Sequence, residues 1–328
     1  MKCICVSNWI GPSAGGYGTS AEKLLMALDR RTDVIVRLVP LAGGWELVNP
    51  DVKGLADVQT EPDVFIHYGG PGGPDSYVGK VAYTMTEGTE LPSEWLEALS
   101  KALLVLVPSH WGKTVFEAGG VTAPVEVLPF GIEQGPPARE RPKPQPFTFL
   151  AIDKGPHQAY EAFRTEFGPD EPVRLILKAQ SEFPKEWAED PRVTTISGFY
   201  SETQMRGLYL RASCFVHLPE GAGWALPISD AVGLGVPVIA PLHSGTREYL
   251  HESYVVPVGA YPAIATQHMR GFKWGFRIED VAWSMRQAYE MGDHLWTLAE
   301  RAQHFTRHFT WERSAQILVD VLTRHHLL

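Results

Sequence analysis

Residues 215–250, FVHLPEGAGWALPISDAVGLGVPVIAPLHSGTREYL, read as two consecutive strand–turn–helix units. An apolar run ends at Leu218 and gives way to the glycine-containing turn Glu220-Gly-Ala-Gly223. A helix starts near Pro227, because proline suits a first helical turn, and Gly235 stops it. Val236 to Ala240 is wholly apolar, as a strand buried on both faces of a parallel sheet should be. The turn His243-Ser-Gly245 then leads into a second helix at Thr246. In a parallel sheet both turns fall at the carboxyl edge, so two helix N-termini face one crevice. Free N–H groups and the helix dipole make such ends good sites for a diphosphate. Asp230 stands about one turn inside the first helix, within reach of a sugar or ribose hydroxyl.

LPISDAVGLGVPVIA followed by SGTREYL resembles the donor-site signature of retaining glycosyltransferases of the GT-B fold, the family-4 type (glycosyl transferases group 1). Their pattern runs Glu-Gly-x-Gly-Leu-Pro-x-x-Glu-Ala-x-x-x-Gly-x-Pro-Val-Ile-Ala. Aligned on Leu226-Pro227, the family's second glutamate falls on Asp230 and the first on Ala222, which offers no carboxylate. Glu220 lies two residues earlier, on a turn that Gly221 and Gly223 make pliable enough to fold inward. Two readings stay open: Glu220 replaces the missing carboxylate, or it is a solvated turn residue and the site has lost the contact. A bland alternative covers the whole stretch, since any doubly wound α/β protein needs glycine turns and a buried VPVIA strand.

The same family likeness continues upstream. VAYTMTEGTELPSEW and LVPSHWGKTVFEAGGVTAPVEVLPFGIE are similar to its N-terminal domain. The segment from Lys154-Gly155 to Ala162-Phe163 resembles Lys-Gly-x-x-x-Leu-x-x-Ala-Phe, in which the lysine meets the donor diphosphate. The arginine usual just upstream is absent, leaving Lys154 as the main cation on this loop. The likeness also implies donor contacts for Gly15 and Gly16 in the first glycine-rich loop, for Gly221, Gly223, Leu226, Pro227, Ser244 and Gly245, and for the turn from Gly198 to Tyr200, which receives the nucleobase. Lys178 ends a strand and is a second phosphate candidate, or else an edge lysine with its head in water. His67 and Glu87 are candidates for the donor sugar; the alternatives are a plain strand-end histidine and a solvated loop carboxylate.

Elsewhere, apolar strands at 34–39, 63–68, 81–85, 103–107 and 125–129 alternate with helical patterns such as LPSEWLEALSK. The alternation predicts an α/β fold with a mostly parallel sheet, repeated in a second half that opens with FTFLAI at 147–152. Thr19-Ser-Ala-Glu22 reads as a capping box starting a helix at Ser20, and Ser201-x-x-Gln204 as another. QGPPARERPKPQP, 134–146, is an extended proline-rich connector. The organisation expected is therefore a first Rossmann-like domain over 1–135, a linker over 136–146 and a donor domain over 147–308. A last helix, about 309–328, packs back on the first. Residues 255–276 show no period and read as loop.

Composition narrows the classes. The chain has 328 residues, 44% hydrophobic and 20% charged, which describes a soluble globular protein of two ordinary domains. No apolar run is long enough to cross a bilayer, and no signal segment opens the chain. Three cysteines fit no disulfide framework, so a reducing cytoplasm is expected. Residues 1–135 hold 9 Lys/Arg against 16 Asp/Glu, which disfavours nucleic acid as the acceptor. No Asp-x-Asp and no Cys/His set at ligand spacing occur, so no metal site is expected. His304, His308, His325 and His326 decorate helices and are assigned no chemistry.

The resemblance implies transfer of a sugar, with retention, from a nucleotide-sugar donor, a UDP-sugar first, to an unidentified acceptor. It implies no cofactor and no metal. Two rivals remain: a nucleotide-sugar binder without turnover, and a nicotinamide oxidoreductase resting on Gly16-x-Gly18-x-x-Ala21.

Overall fold

The computed structural model describes residues 1–8, 15–41, 48–265 and 270–328. The chain divides into two units. The first comprises Met1–Gly131, Ala265–Phe272 and His308–Leu328; the second comprises Ile132–Ile264 and Lys273–Arg307.

The chain opens with strand β1 (Lys2–Asn8), helix α1 (Gly15–Asp29), β2 (Val34–Pro40) and the short α2 (Pro50–Gly54). Then follow β3 (Val64–Tyr68), β4 (Val81–Tyr83), α3 (Ser93–Leu99), β5 (Leu104–Val107), α4 (His110–Ala118) and β6 (Val125–Val127). These six strands form one sheet in the order β2-β1-β3-β4-β5-β6, with every pairing parallel. β5 is buried along its whole length, as the continuous apolar run LVLV requires.

The second half repeats the scheme with β7 (Phe147–Ile152), α5 (Pro156–Glu166), β8 (Val173–Ala179), β9 (Val193–Ser197), α6 (Glu202–Leu210), β10 (Cys214–Val216), α7 (Leu226–Gly233), β11 (Val238–Ala240) and β12 (Val256–Pro257). Its sheet runs β12-β11-β10-β7-β8-β9, again all parallel. A two-stranded ribbon, β13 (Tyr261–Ile264) and β14 (Phe272–Gly275), precedes helices α8 (Ile278–Glu290), α9 (Asp293–Thr306) and α10 (Trp311–Arg324). Phe149, Phe163, Leu175, Val216, Ile239 and Met285 close the core of the second unit.

α10 belongs to the first unit. Trp311 stacks on Phe130 with ring centroids 5.8 Å apart, and Ser314 Oγ donates to the Pro129 carbonyl at 2.6 Å. Gly131 is required there, since a Cβ would come within 2.4 Å of Trp311.

The proline-rich stretch groups with the second unit and is fastened to it. Gln303 on α9 accepts from the Ala138 N–H and donates to the Pro136 and Gly233 carbonyls, each at 3.0 Å. Arg141 is buried and carries the load of that fastening. Its guanidinium donates to the carbonyls of Gly235 (2.6 Å), Leu210 (3.2 Å), Tyr209 (3.3 Å) and Ala212 (3.4 Å) and lies over the Trp296 ring. Burial pulls its pKa down to about 10.

Three local expectations need correction. α1 begins at Gly15, not at Ser20. Thr19 and Ser20 do not cap it; their hydroxyls donate back to the carbonyls of Gly15 and Gly16 at 3.1 and 2.6 Å, as hydroxyls inside a helix do. The helix expected at Thr246 is a five-residue 3-10 turn, Ser244–Glu248, in which Thr246 Oγ1 donates to the carbonyls of His243 (2.6 Å) and Pro241 (3.0 Å). The stretch taken as loop after 255 contains the β13–β14 ribbon. The capping box at Ser201 is formed with both of its hydrogen bonds.

Candidate functional site

The carboxyl edge of the second sheet gathers the decisive stretch. β10 pairs with β7 on one side and β11 on the other, so three strand exits lie together. The Leu218 N–H donates to the Lys154 carbonyl at 3.3 Å, which ties the β10 exit to the Asp153-Lys154-Gly155 turn. Gly155 has φ +88°, and a Cβ there would come within 2.6 Å of Leu218, so both the turn and the close approach demand glycine. The Lys154 backbone is thereby held beside the exit of β10, with the residue half-buried. Pro156 takes the first position of α5, whose N-terminus opens behind this turn.

Glu220 follows two residues after Leu218. Its carboxylate is half-exposed and accepts from the Lys273 ammonium through both oxygens, at 3.0 and 2.9 Å. The Trp274 N–H donates to the Glu220 carbonyl at 2.7 Å. Ala222 is buried, and its carbonyl accepts from the Gly245 N–H at 2.8 Å. Gly223 and Gly245 meet back to back: a Cβ on Gly245 would lie 1.9 Å from the Gly223 carbonyl oxygen. Trp224 is buried against Tyr249 and donates its indole N–H to Ser229 at 3.1 Å. The Tyr249 hydroxyl donates to the Trp224 and Ala225 carbonyls at 2.8 and 2.9 Å.

Ala225 precedes α7 with φ +71°, a conformation costing an L-residue about 1–2 kcal/mol. It carries no side-chain cap, and Leu226 and Pro227, both half-buried, form the first turn. Asp230 is half-buried, and its charge, after burial itself, adds to the upward shift of the Tyr209 and Tyr249 phenols. Ser244, at φ +45°, and Gly245 are buried, and Ser244 Oγ sits 2.7 Å from His243 Nδ1.

One strand over, Lys178 is the next-to-last residue of β8. It is buried, not an edge lysine in water, and its ammonium lies 5.7 Å from the Tyr200 ring centroid. Gly198 turns at φ +93° before the capping box that starts α6.

His67, Glu87, Gly15 and Gly16 lie in the first unit. His67 is the next-to-last residue of β3, buried, with Nδ1 3.2 Å from Ser7 Oγ and, among the described residues, no hydrogen-bond partner at Nε2. Burial, the largest cause, pushes its pKa down. Glu87 is exposed on the loop after β4. The Tyr17 hydroxyl pins the start of that loop by donating to the Met85 carbonyl at 3.2 Å. Gly15 and Gly16 are exposed in the first turn of α1; the rest of their loop, 9–14, lies outside the described residues. Gly16, Gly18 and Ala21 all stand inside α1, so they form no strand-to-helix glycine turn.

Three residues at the second-sheet edge carry roles the sequence reading did not assign. His217 is buried, holds the Ile152 carbonyl through Nδ1 at 3.0 Å and is pushed down to about 3 by burial and then by the charge of Lys154. His243 stacks on Trp274 (5.0 Å between centroids, 14° between planes) and is pushed down to about 4 by burial. Lys273 holds Glu220. The two histidines stood in plain view at strand ends, where a polar residue after an apolar run marks the functional edge. Lys273 lies on a strand too short to show a period. Among the described residues no three His, Cys, Asp or Glu gather as metal ligands, and no helix is long and apolar enough to cross a membrane.

No protein-family model and no curated protein matches the sequence. Solved structures do. A sucrose-phosphate synthase from Thermosynechococcus elongatus superposes with a TM-score of 0.68 at 13% identity, covering 99% of each chain. An α,α-trehalose-phosphate synthase (UDP-forming) from Burkholderia xenovorans, in complex with glucose-6-phosphate, covers 98% of this chain and 100% of its own at 11% identity and TM-score 0.66. A trehalose-6-phosphate structure from E. coli, bound with UDP-2-fluoro glucose, matches at 12% identity and TM-score 0.66 over 99% of both chains. The fold is GT-B. Within that GT-B fold the edge just described belongs to the second of the two Rossmann-like units.

Proposed function

We propose that the chain is a retaining glycosyltransferase that takes a nucleotide-sugar, a UDP-sugar first, and passes the sugar to an acceptor without a metal ion. The observation that carries this reading is the joining of Lys154-Gly155 to the exit of β10. It brings a lysine, the Glu220 turn and the approach to α7 to one sheet edge. Departure of a nucleoside diphosphate builds negative charge, and an ammonium on this turn together with helix N–H groups supplies the opposite charge. Lys154 is assigned to the diphosphate, with Lys178 and Tyr200 on the side of the nucleotide. Asp230 and Glu220 are assigned to sugar or ribose hydroxyls. No side chain is assigned as a covalent nucleophile; the chemistry fits front-face displacement through an oxocarbenium-like state.

UDP-sugars and a phosphorylated sugar acceptor head the trials, because two GT-B neighbours were solved with UDP-2-fluoro glucose and glucose-6-phosphate. A second reading, a nucleotide-sugar binder without turnover, is favoured by one observation: Ala222 is buried and Glu220 is already engaged by Lys273. A thermal-shift panel of UDP-, GDP-, ADP- and TDP-glucose tests the common core of both. The true donor, at about 100 times its dissociation constant, raises stability by about 2.7 kcal/mol. No shift with any of the four overturns both readings. A shift without release of nucleotide in the presence of glucose-6-phosphate or other sugar acceptors favours the second.

A further inference from the structure

Glu220 sits on a turn with no rigidity of its own. Gly221 and Gly223 flank Ala222, and glycine-rich backbone of this kind samples many conformations. Strand β14 supplies the missing constraint at two consecutive residues. The Lys273 ammonium meets both carboxylate oxygens, and the Trp274 N–H takes the carbonyl of the same glutamate. The Trp274 ring then lies flat on His243, the residue before Ser244-Gly245. The Gly245 N–H closes the circuit on the Ala222 carbonyl. The Glu220 side chain and its own carbonyl are therefore held by a strand that lies beyond β12 in the chain, and the carbonyl two residues on by the turn at 244–248.

We propose, on the reading of this edge as a sugar-donor site, that Lys273 is a positioning residue: with Trp274 it holds the Glu220 carboxylate where a donor sugar hydroxyl meets it. Three features of the pair fit that role. Lys273 is the more buried partner, its side chain 20% exposed against 41% for Glu220, so the cation is the fixed member and the carboxylate keeps an open side. A carboxylate offers about four acceptor directions, and one ammonium leaves some of them for hydroxyl donors. The backbone bond from Trp274 places the lysine by register, so its reach does not depend on a free side chain finding its partner. The arrangement also accounts for a glutamate displaced by two positions from Ala222: the turn's reach is set by a strand that the sequence pattern does not contain.

The rival role for Lys273 is direct contact with the donor diphosphate, and the test separates the two. Variants Lys273→Met, Lys273→Arg, Glu220→Gln and the double Lys273→Met/Glu220→Gln are compared with the unaltered protein. The readouts are amide hydrogen exchange over 220–224, calorimetric affinity for UDP and for UDP-glucose, and kcat and KM for release of UDP from UDP-glucose with glucose-6-phosphate present. Lys273→Met is expected to speed exchange in the turn about tenfold or more while α7 exchanges as before. It is expected to lower kcat about 10- to 100-fold, the size of one charged hydrogen bond, with UDP affinity unchanged. The double variant should be no slower than the slower single one, since both remove the same held carboxylate. Lys273→Arg should recover activity to within about tenfold, since it restores a cation at some cost in geometry. Loss of UDP affinity in Lys273→Met, multiplying effects in the double variant, or unchanged exchange at 220–224 would each overturn the positioning role. A protein that binds none of the four nucleotide-glucoses removes the donor reading instead, and exchange at the turn then decides by itself whether Lys273 holds Glu220.

Discussion

At the scale of single residues, Lys154 is the side chain on which the functional reading leans hardest. Replacing it with alanine should weaken nucleotide-sugar binding by ~1.5–3 kcal/mol, the worth of a charge-assisted contact, measured by calorimetry. The melting temperature should hold, because Lys154 is only half-buried and its turn is shaped by backbone and by Gly155. Unchanged affinity removes Lys154 from the site. The neighbouring histidines make a separate forecast. His217 and His243 are held neutral by burial, down to about 3 and about 4, whereas the unfolded chain protonates both below about 6.5. The unfolded state therefore binds more protons, and stability must fall as pH drops from 6.5 towards 4. At pH 5 each histidine costs about 2 kcal/mol relative to pH 7. Urea unfolding at the two values checks it, and His217→Gln should flatten the slope whatever it does to the absolute stability.

At the scale of elements, Arg141 is the clearest wager. A buried guanidinium that serves the carbonyls at the end of α6 and at the stop of α7, and that pairs with no carboxylate among the described residues, is costly to bury and costly to remove. Arg141→Ala should destabilise by about 3–5 kcal/mol, and Arg141→Lys should recover little, since one ammonium cannot reproduce a planar fork across several carbonyls. Denaturant midpoints of the two variants decide it. The same scale shows what local sequence could and could not reveal. Strands β7 and β8 coincide with FTFLAI and VRLILKA because strands of a buried parallel sheet read as mostly apolar runs, here broken only by Thr148, Arg174 and Lys178. The start of α1 was misplaced because Thr19 and Glu22 have the spacing of a capping box, while the glycines before them turned out to be helical. The turn at 244–248 carries a contact invisible in one dimension: Gly245 is pressed on Gly223, a neighbour 22 residues away.

At the scale of the molecule, two parallel six-stranded sheets follow from the repeated alternation of apolar strands with helical patterns, which makes the α/β class legible in the sequence, whereas the GT-B expectation rests on the resemblance of LPISDAVGLGVPVIA and its companion motifs. The ribbon β13–β14 was not legible. YPAI and FKWG are four residues each, with no buried residue and no alternation, so nothing in them distinguishes strand from loop. The site inherits that gap, because Lys273 enters it from the ribbon. The proposed reading, in which Lys154 and helix N–H groups stand in place of a metal, makes a prediction for the whole protein. Nucleotide-sugar binding and sugar transfer should survive millimolar EDTA and gain less than about twofold from Mn²⁺ or Mg²⁺, where a metal-dependent enzyme loses its Lewis acid altogether. Activity that vanishes with chelator and returns with Mn²⁺ counts against the assignment of Lys154 as the main counter-charge.

The contact between Gly223 and Gly245 also matters to anyone who wishes to redesign this protein. A library aimed at a new donor sugar would normally randomise the whole turn from 220 to 225 together with the facing turn at 244–246. Every variant with a side chain at 245 would drive a Cβ to within 1.9 Å of a carbonyl oxygen, and those clones would be lost to misfolding before their specificity was ever assayed. The productive library is the smaller one: diversity at Glu220 and Lys273 as a covarying pair, with both glycines left untouched.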